Sequence, residues 1–283
     1  MNFSRLLLGT VQFGLNYGIA NTEGKPSFER VKAILKTALD NGITALDTAA
    51  AYGESEEVLG RALAELGIAQ KMTVISKVPP LPENCDPEEF VTNSVTTSLK
   101  RLRLPELPLV LFHNEFDWAY REALETLVRK GLIRHAGVSL DSAACAETAD
   151  DAPYVQIPCN LFDHRFDEKI RNHKSGHIFI RSVYLQGMAV MPKEKIPFPE
   201  VRSYREKLES FGVPMAELCM RYLLSFPGNT SVLTGVDTPG QLLENCRLAE
   251  KGPLPQELLQ KVIDTVPLLP ESLIRPKLWN IKK

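Results

Sequence analysis

The chain predicts one parallel (β/α)8 barrel of the TIM-barrel type, an α/β fold taking residues 1–283 as a single domain. Three observations carry that expectation. Eight short apolar runs alternate with helix-periodic stretches from one end to the other, the pattern of repeated strand–helix units. No break in composition divides the 283 residues, and α/β barrels reach about 250 residues as one domain. Three of the runs close on an ionisable residue, Asp47, Lys77 and His113. In a parallel barrel such C-terminal strand ends converge on one face, where catalytic groups gather.

Leu6-Leu7-Leu8-Gly9-Thr10 reads as the first strand. A long polar loop leads to a helix near 27–41, with Ser27 as its N-cap and Gly42 as its stop. The run from Ile43 closes on Asp47 and precedes a helix over 55–66, stopped by Gly67. Met72 to Lys77 forms the third strand and leads through Pro79, Pro80, Pro82 and Pro87 into a helix over 87–102. Leu109 to His113 is the fourth, followed by a helix near 119–130 and Gly131. Runs at 133–138, 154–157, 177–180 and 231–233 complete the set, with clear helical stretches at 199–211, 214–225 and 238–250. A doubly wound sheet is the structural alternative. It would want a glycine fingerprint after its first strand, and none is present.

Composition narrows the function. With 33 basic and 35 acidic residues the net charge is −2, which argues against nucleic acid or an anionic membrane as partner. No apolar run approaches the roughly 20 residues that span a bilayer. Met1-Asn2-Phe3-Ser4-Arg5 runs directly into a strand, leaving no room for a signal peptide. The five cysteines are odd in number, scattered and never spaced C-x-x-C, as expected of reduced thiols in a cytoplasmic protein. A monomer or small homo-oligomer acting on a small molecule fits this profile.

Several motifs fail on their chemistry. Gly18 to Gly24-Lys25 imitates a phosphate loop, but five residues separate the glycines and Pro26 replaces the magnesium-binding Ser or Thr. His173 and His177 are four apart with Gly176 between them and no third ligand, so no metal is expected. No G-x-S-x-G elbow is present, and Cys159 with a distant histidine is too unspecific for a thiol mechanism.

Asp47, Tyr52, Lys77 and His113 remain. Singly, each has a bland reading: a turn cap, a packed loop aromatic, a solvated strand end, a core histidine. Together they place a carboxylate, a phenol, an ammonium and an imidazole at neighbouring strand ends, the equipment for proton transfer to a carbonyl oxygen.

The segment Asp47-Thr48-Ala49-Ala50-Ala51-Tyr52-Gly53-Glu54-Ser55-Glu56-Glu57-Val58-Leu59-Gly60 resembles, without a gap, the D-T-A-x-x-Y-G-x-S-E-x-x-L-G signature of the aldo-keto reductase family. The resemblance continues through Leu8-Gly9-Thr10 with Phe13-Gly14, Ser76-Lys77, Phe112-His113 and the segment from Ile133 to Ser139. It extends to Gln156 with Asn160-Leu161, Arg181-Ser182 with Gln186-Gly187, and Glu244-Asn245. It implies a (β/α)8 barrel and carbonyl reduction dependent on NADP(H) or NAD(H). It also implies a cofactor site drawn from Gly9, Thr10, Ser139, Gln156, Arg181, Ser182, Gly187, Gly235, Asp237, Gln241, Glu244 and Asn245. The stretches T-V-Q-F-G-L-N-Y-G-I-A-N and I-R-S-V-Y-L-Q-G resemble a bacterial branch of the family loosely associated with surface-carbohydrate pathways.

The departures are specific. Leu140 stands where the family usually has Asn, and Cys159 where it has Tyr. Where many members grip the cofactor's 2′-phosphate with Lys, Ser and Arg, this chain has Gly235, Val236 and Gln241, with Asp237 beside them. The two cofactors are therefore expected to bind about equally, with Arg247 or Lys251 as replacement cations.

In the reaction so implied Tyr52 is the acid. A free phenol has a pKa near 10, too high for ready proton release at neutral pH. Lys77 is expected to lower it, Asp47 to hold Lys77, and a neutral His113 to orient the carbonyl oxygen. The substrate pocket is expected in the loops, from Phe13, Tyr17, Asn114, Phe116 and Trp118, a mix of aromatics and amide suited to a polar ring such as a sugar derivative. A second reading, from another class, is a nucleotide-binding regulatory or scaffold subunit with little turnover.

Overall fold

A computed structural model describes residues 3–21, 24–145 and 147–279. Eight strands form its centre: β1 (Leu6–Gly9), β2 (Ala45–Asp47), β3 (Thr73–Val78), β4 (Leu107–Phe112), β5 (Ile133–Ser139), β6 (Tyr154–Pro158), β7 (His177–Arg181) and β8 (Thr230–Gly235). All neighbours pair in parallel and β8 returns to β1, closing the barrel. The fold expected from the alternating pattern is the fold observed.

The barrel interior is small and apolar, filled by Leu7, Ala45, Ile75, Leu109, Leu111 and Phe179. At its N-terminal end Phe3 packs on Tyr154, His177 and Phe179, so this mouth is plugged by aromatic rings. A larger core lies between the strands and the surrounding helices. Strands buried on both faces explain why the runs read as continuous hydrophobic stretches without alternation.

The helices are α1 (Val11–Gly14), α2 (Phe28–Asp40), α3 (Ser55–Leu66), α4 (Pro87–Leu102), α5 (Arg121–Arg129), α6 (Asp167–Asn172), α7 (Pro199–Glu209), α8 (Met215–Leu224), α9 (Pro239–Glu250), α10 (Gln256–Thr265) and α11 (Glu271–Ile274). The expected stops and caps hold. Ser27 Oγ accepts from Arg30 N at 3.3 Å, and Gly67 ends α3 in the left-handed conformation.

Two regions differ from expectation. The helix foreseen near 119–130 begins at Arg121, because Asn114 instead caps a 3-10 segment over Glu115–Tyr120. After β5 only 3-10 turns occur among the described residues, at Ala143–Cys145 and Glu147–Ala149. There the buried Glu115 carboxylate accepts from the backbone of Asp141 and Ser142, occupying donors that a helix would have used.

Candidate active site

The strand register assembles the site. Asp47 ends β2 between Gly9 of β1 and Ile75 of β3. Lys77 lies beside Leu111 of β4, and His113 follows β4 directly, donating its backbone N–H to Val78 O at 3.0 Å. Asp47 and Lys77 are sealed from solvent, at 2% and 1% exposure. Lys77 Nζ donates to Asp47 Oδ1 at 2.6 Å and to Thr48 O at 2.9 Å. A buried ion pair persists only when its other polar valences are also met. Gln156 Nε2 contributes a second donor to Asp47 Oδ1 at 2.7 Å.

Tyr52 is delivered by the turn between β2 and α3, whose backbone runs Tyr52 N to Ala49 O and Ser55 N to Tyr52 O, both at 3.0 Å. Gly14 supports this turn from below. A Cβ on Gly14 would lie 1.8 Å from Tyr52 O, so the close approach requires glycine. The Tyr52 ring meets the His113 ring edge to face at 5.5 Å, and Lys77 Nζ lies 5.2 Å from the Tyr52 ring centre.

Electrostatics correct one expectation. Burial pushes the Tyr52 phenol up, and the negative charge of Asp47 adds to that rise. The net shift is upward because burial and Asp47 outweigh the pull of the Lys77 ammonium, whose field Asp47 at 2.6 Å largely offsets. Burial likewise pulls the Lys77 ammonium down, with Asp47 pulling it back. His113 is lowered to about 3, chiefly by burial and then by Lys77 and Arg181, so its imidazole is neutral at physiological pH. The site therefore presents a protonated phenol and a neutral imidazole side by side.

A cavity of about 660 Å³ opens on these groups. Its wall includes Asp47, Tyr52 and His113, and Lys77 lies behind Asp47. All twelve residues named from the resemblance border this same cavity: Gly9, Thr10, Ser139, Gln156, Arg181, Ser182, Gly187, Gly235, Asp237, Gln241, Glu244 and Asn245. Several are also structural. Thr10 Oγ1 donates to Asp47 O at 2.9 Å, and Tyr184 OH donates to Asn245 Oδ1 at 2.7 Å. Gln241 Oε1 accepts from the backbone of Asp237 and Thr238, closing a capping box at the start of α9.

The pocket residues fare differently. Tyr17 lines the cavity. Phe13 does not; it is 2% exposed in the core outside the barrel. Trp118 is 5% exposed and its Nε1 donates to Asp151 Oδ1 at 2.7 Å, which ties the indole to a neighbouring loop. Phe116 is exposed and Asn114 caps the 3-10 segment, and neither borders the cavity. Of the two loops behind the polar-ring expectation, the first therefore reaches the cavity, through Tyr17, and the second does not.

The departures from the family pattern also find places. Leu140 is fully buried, and its carbonyl accepts from Arg181 at 3.0 Å. Cys159 is buried outside the cavity, its Sγ 3.4 Å from Asp167 Oδ1. Neither proposed replacement cation borders the cavity. Lys251 Nζ is 2.6 Å from Glu217, and Arg247 lies outward, 3.8 Å from Glu244.

Other wall residues escaped the sequence reading. Gln12 Oε1, Thr234 Oγ1 and His113 Nδ1 are buried without a hydrogen-bond partner among the described residues, and all three residues line the cavity. Buried polar atoms left unpaired call for a ligand partner. Above them the loop after β1 crosses the opening: Asn21 Nδ2 donates to Asp237 Oδ1 at 3.2 Å, and Gln186 Nε2 to Tyr17 OH at 3.3 Å. Ser182, Leu185 and Gln186, in the segment just after β7, all adopt positive φ, strain of the kind stored at functional sites. A cavity of this volume, mostly apolar but with glycines and a few polar groups on its wall, has room for a cofactor.

A closed parallel barrel with the buried Asp47–Lys77 pair, Tyr52 and His113 gathered at one mouth is the arrangement the sequence resemblance implies. The chain belongs to the Aldo/keto reductase family, whose pattern matches residues 5–264. It is 30% identical over 284 residues to aldo-keto reductase YhdN of Bacillus subtilis (strain 168), covering 84% of this chain and 83% of that protein. It is 37% identical over 121 residues to methylglyoxal reductase YeaE of Escherichia coli (strain K12), a match covering 41% of each. Its fold superposes with a TM-score of 0.77 on the holo form of aldo-keto reductase AKR11C1 from Bacillus halodurans, at 22% identity over 95% of this chain and 94% of that one.

Proposed function

We propose that this protein reduces the carbonyl of a small aldehyde or ketone with a nicotinamide cofactor. The observation that carries the reading is the contact of the protonated Tyr52 ring with neutral His113, beside the buried Lys77–Asp47 pair, on the wall of one cavity. When bound, the cofactor supplies the hydride that reaches the carbonyl carbon. The carbonyl oxygen, gaining electrons as the C–H bond forms, takes its proton from the Tyr52 hydroxyl. His113 donates to the same oxygen and orients it. Lys77 stabilises the phenolate left behind, and Asp47 with Gln156 holds Lys77 in place.

A raised phenol pKa suits this division of labour. Tyr52 stays loaded with its proton at every physiological pH, and the transfer is driven by the alkoxide, a stronger base. Gln12 and Thr234 are assigned to cofactor contact on the strength of their unpaired polar atoms. Gly9 and Gly235, paired across β1 and β8, form a wall without side chains for the cofactor's backbone to approach. The aldehyde named in the methylglyoxal reductase relative supports a small carbonyl substrate. The test is oxidation of NADPH and NADH with 4-nitrobenzaldehyde, comparing wild type with Tyr52→Phe. Turnover that survives the substitution assigns the acid elsewhere.

A further inference from the structure

The cavity wall carries charges of both signs. Arg181 and Lys277 border it beside His113, together with the carboxylates Asp47 and Asp141, and Asp237 and Glu244 border it where β8 leads into α9. Lys277 comes from the segment after α11, which folds back across the barrel mouth to reach Asp141 just beyond β5.

Asp141 is shared by three cations. Arg181 lies 2.8 Å away, Arg275 2.9 Å and Lys277 3.6 Å. Arg275 has a second partner in Glu271, and Arg165 is bound by Asp163 and Glu271. In this network four cations, Arg165, Arg181, Arg275 and Lys277, face three carboxylates, Asp141, Asp163 and Glu271. The surplus falls at the wall. Arg181 is further committed to Leu140 O at 3.0 Å, whereas the Lys277 side chain is 72% exposed and holds the longest contact of the three.

We propose that the carbonyl substrate carries an anionic group, a carboxylate or a phosphate ester, which the Lys277 ammonium receives while the carbonyl lies at Tyr52 and His113. The inference rests on the carbonyl-reduction reading and names its substrate class. Lys277 is close enough to His113 for its charge to act on the imidazole, so a short anionic substrate spans the two. An ammonium on a flexible stem accepts either anion as a point charge.

Matched substrate pairs test this. One pair is 4-formylbenzoate and its methyl ester, and the other glyceraldehyde 3-phosphate and glyceraldehyde. In wild type the anionic member of at least one pair has the higher kcat/KM by about tenfold, equivalent to about 1.4 kcal/mol, carried mainly in KM. The advantage collapses in Lys277→Gln, persists in Lys277→Arg and shrinks with added salt. Preference within one pair only identifies the anion as carboxylate or phosphate. Equal kcat/KM within both pairs overturns the proposal, as does a preference that survives Lys277→Gln. A weaker cofactor dissociation constant in Lys277→Gln also overturns it, because Lys277 would then serve the cofactor's phosphates. If no aldehyde is turned over, the carbonyl-reductase reading fails instead. Calorimetric titration of 4-formylbenzoate and of glyceraldehyde 3-phosphate into wild type and Lys277→Gln still decides the anion site, since for both probes equal affinity in the two proteins or no binding overturns it.

Discussion

Lys77 Nζ lies 2.6 Å from Asp47 Oδ1 with neither group open to solvent, so the two charges are bound to each other more tightly than to anything else in the site. Removing one strands the other. Lys77→Met leaves a buried carboxylate with only Gln156 as side-chain donor, a loss of about 3–5 kcal/mol. Its lower activity will therefore come with a lower Tm. Tyr52→Phe behaves differently, because the Tyr52 hydroxyl makes no hydrogen bond among the described residues. It should lose about 10²–10⁴-fold in kcat at an unchanged Tm. Thermal melts and single-turnover rates on both variants separate the roles; a Tyr52→Phe protein that melts early would count against them.

Trp118→Ala should cost stability and leave substrate preference alone. The indole is buried in the outer core and anchored to Asp151, away from the cavity. Truncating a buried Trp costs about 3–5 kcal/mol. Urea unfolding reads the first effect, and the ratio of kcat/KM for a large and a small aldehyde reads the second. A changed ratio would return Trp118 to the pocket.

Acid sensitivity has an assignable source. His113 is depressed to about 3 and His177 to about 4, in both cases first by burial, below an ordinary value of 6.5. Between those values the unfolded chain binds protons that the native state refuses. Stability from these groups is present above about 6.5 and is lost as pH falls toward 4 and then 3. His113→Asn should flatten the slope of unfolding free energy against pH between 6.5 and 4. The same neutrality predicts no inflection in kcat/KM from His113 between pH 5 and 8, and a clear one near 6.5 would mean that the imidazole is charged.

Much of this was legible locally. Asp47, Lys77 and His113 each close an apolar run, and a parallel barrel turns that one-dimensional pattern into proximity. What the sequence hid was set by tertiary partners. Trp118 reads as a pocket aromatic until Asp151, 33 residues on, claims its indole. The stretch after β5 lacks its helix because Glu115, from the preceding loop, takes the backbone donors. Lys277 reaches the wall only because its segment folds back to Asp141, a contact with no local signature. The direction of the phenol's pKa is likewise tertiary: it is set first by the burial of Tyr52 and then by Asp47, and the pairing of Asp47 with Lys77 read from the sequence does not reveal that balance.

The cofactor preference follows from the start of α9. A 2′-phosphate carries nearly two negative charges and wants an Arg fork or a Lys. Here Gln241 is consumed by the capping box, Lys251 is held by Glu217, and the half-buried Asp237 borders the cavity with an acidic side chain. A carboxylate repels the phosphate but accepts from a free ribose 2′-hydroxyl, as acidic residues do in dinucleotide folds. Wild type should thus bind NADH and NADPH within about tenfold of each other, read by quenching of protein fluorescence. Asp237→Arg should raise NADPH affinity and weaken NADH. Because Asp237 also receives Asn21 from the β1 loop, Asp237→Asn is the control that removes the charge while keeping an acceptor for that contact. If both substitutions act alike on the two cofactors, the effect belongs to the loop and not to the phosphate. A wild-type preference for NADPH beyond about a hundredfold, or about 2.7 kcal/mol, would mean that a basic residue reaches the 2′-phosphate from elsewhere.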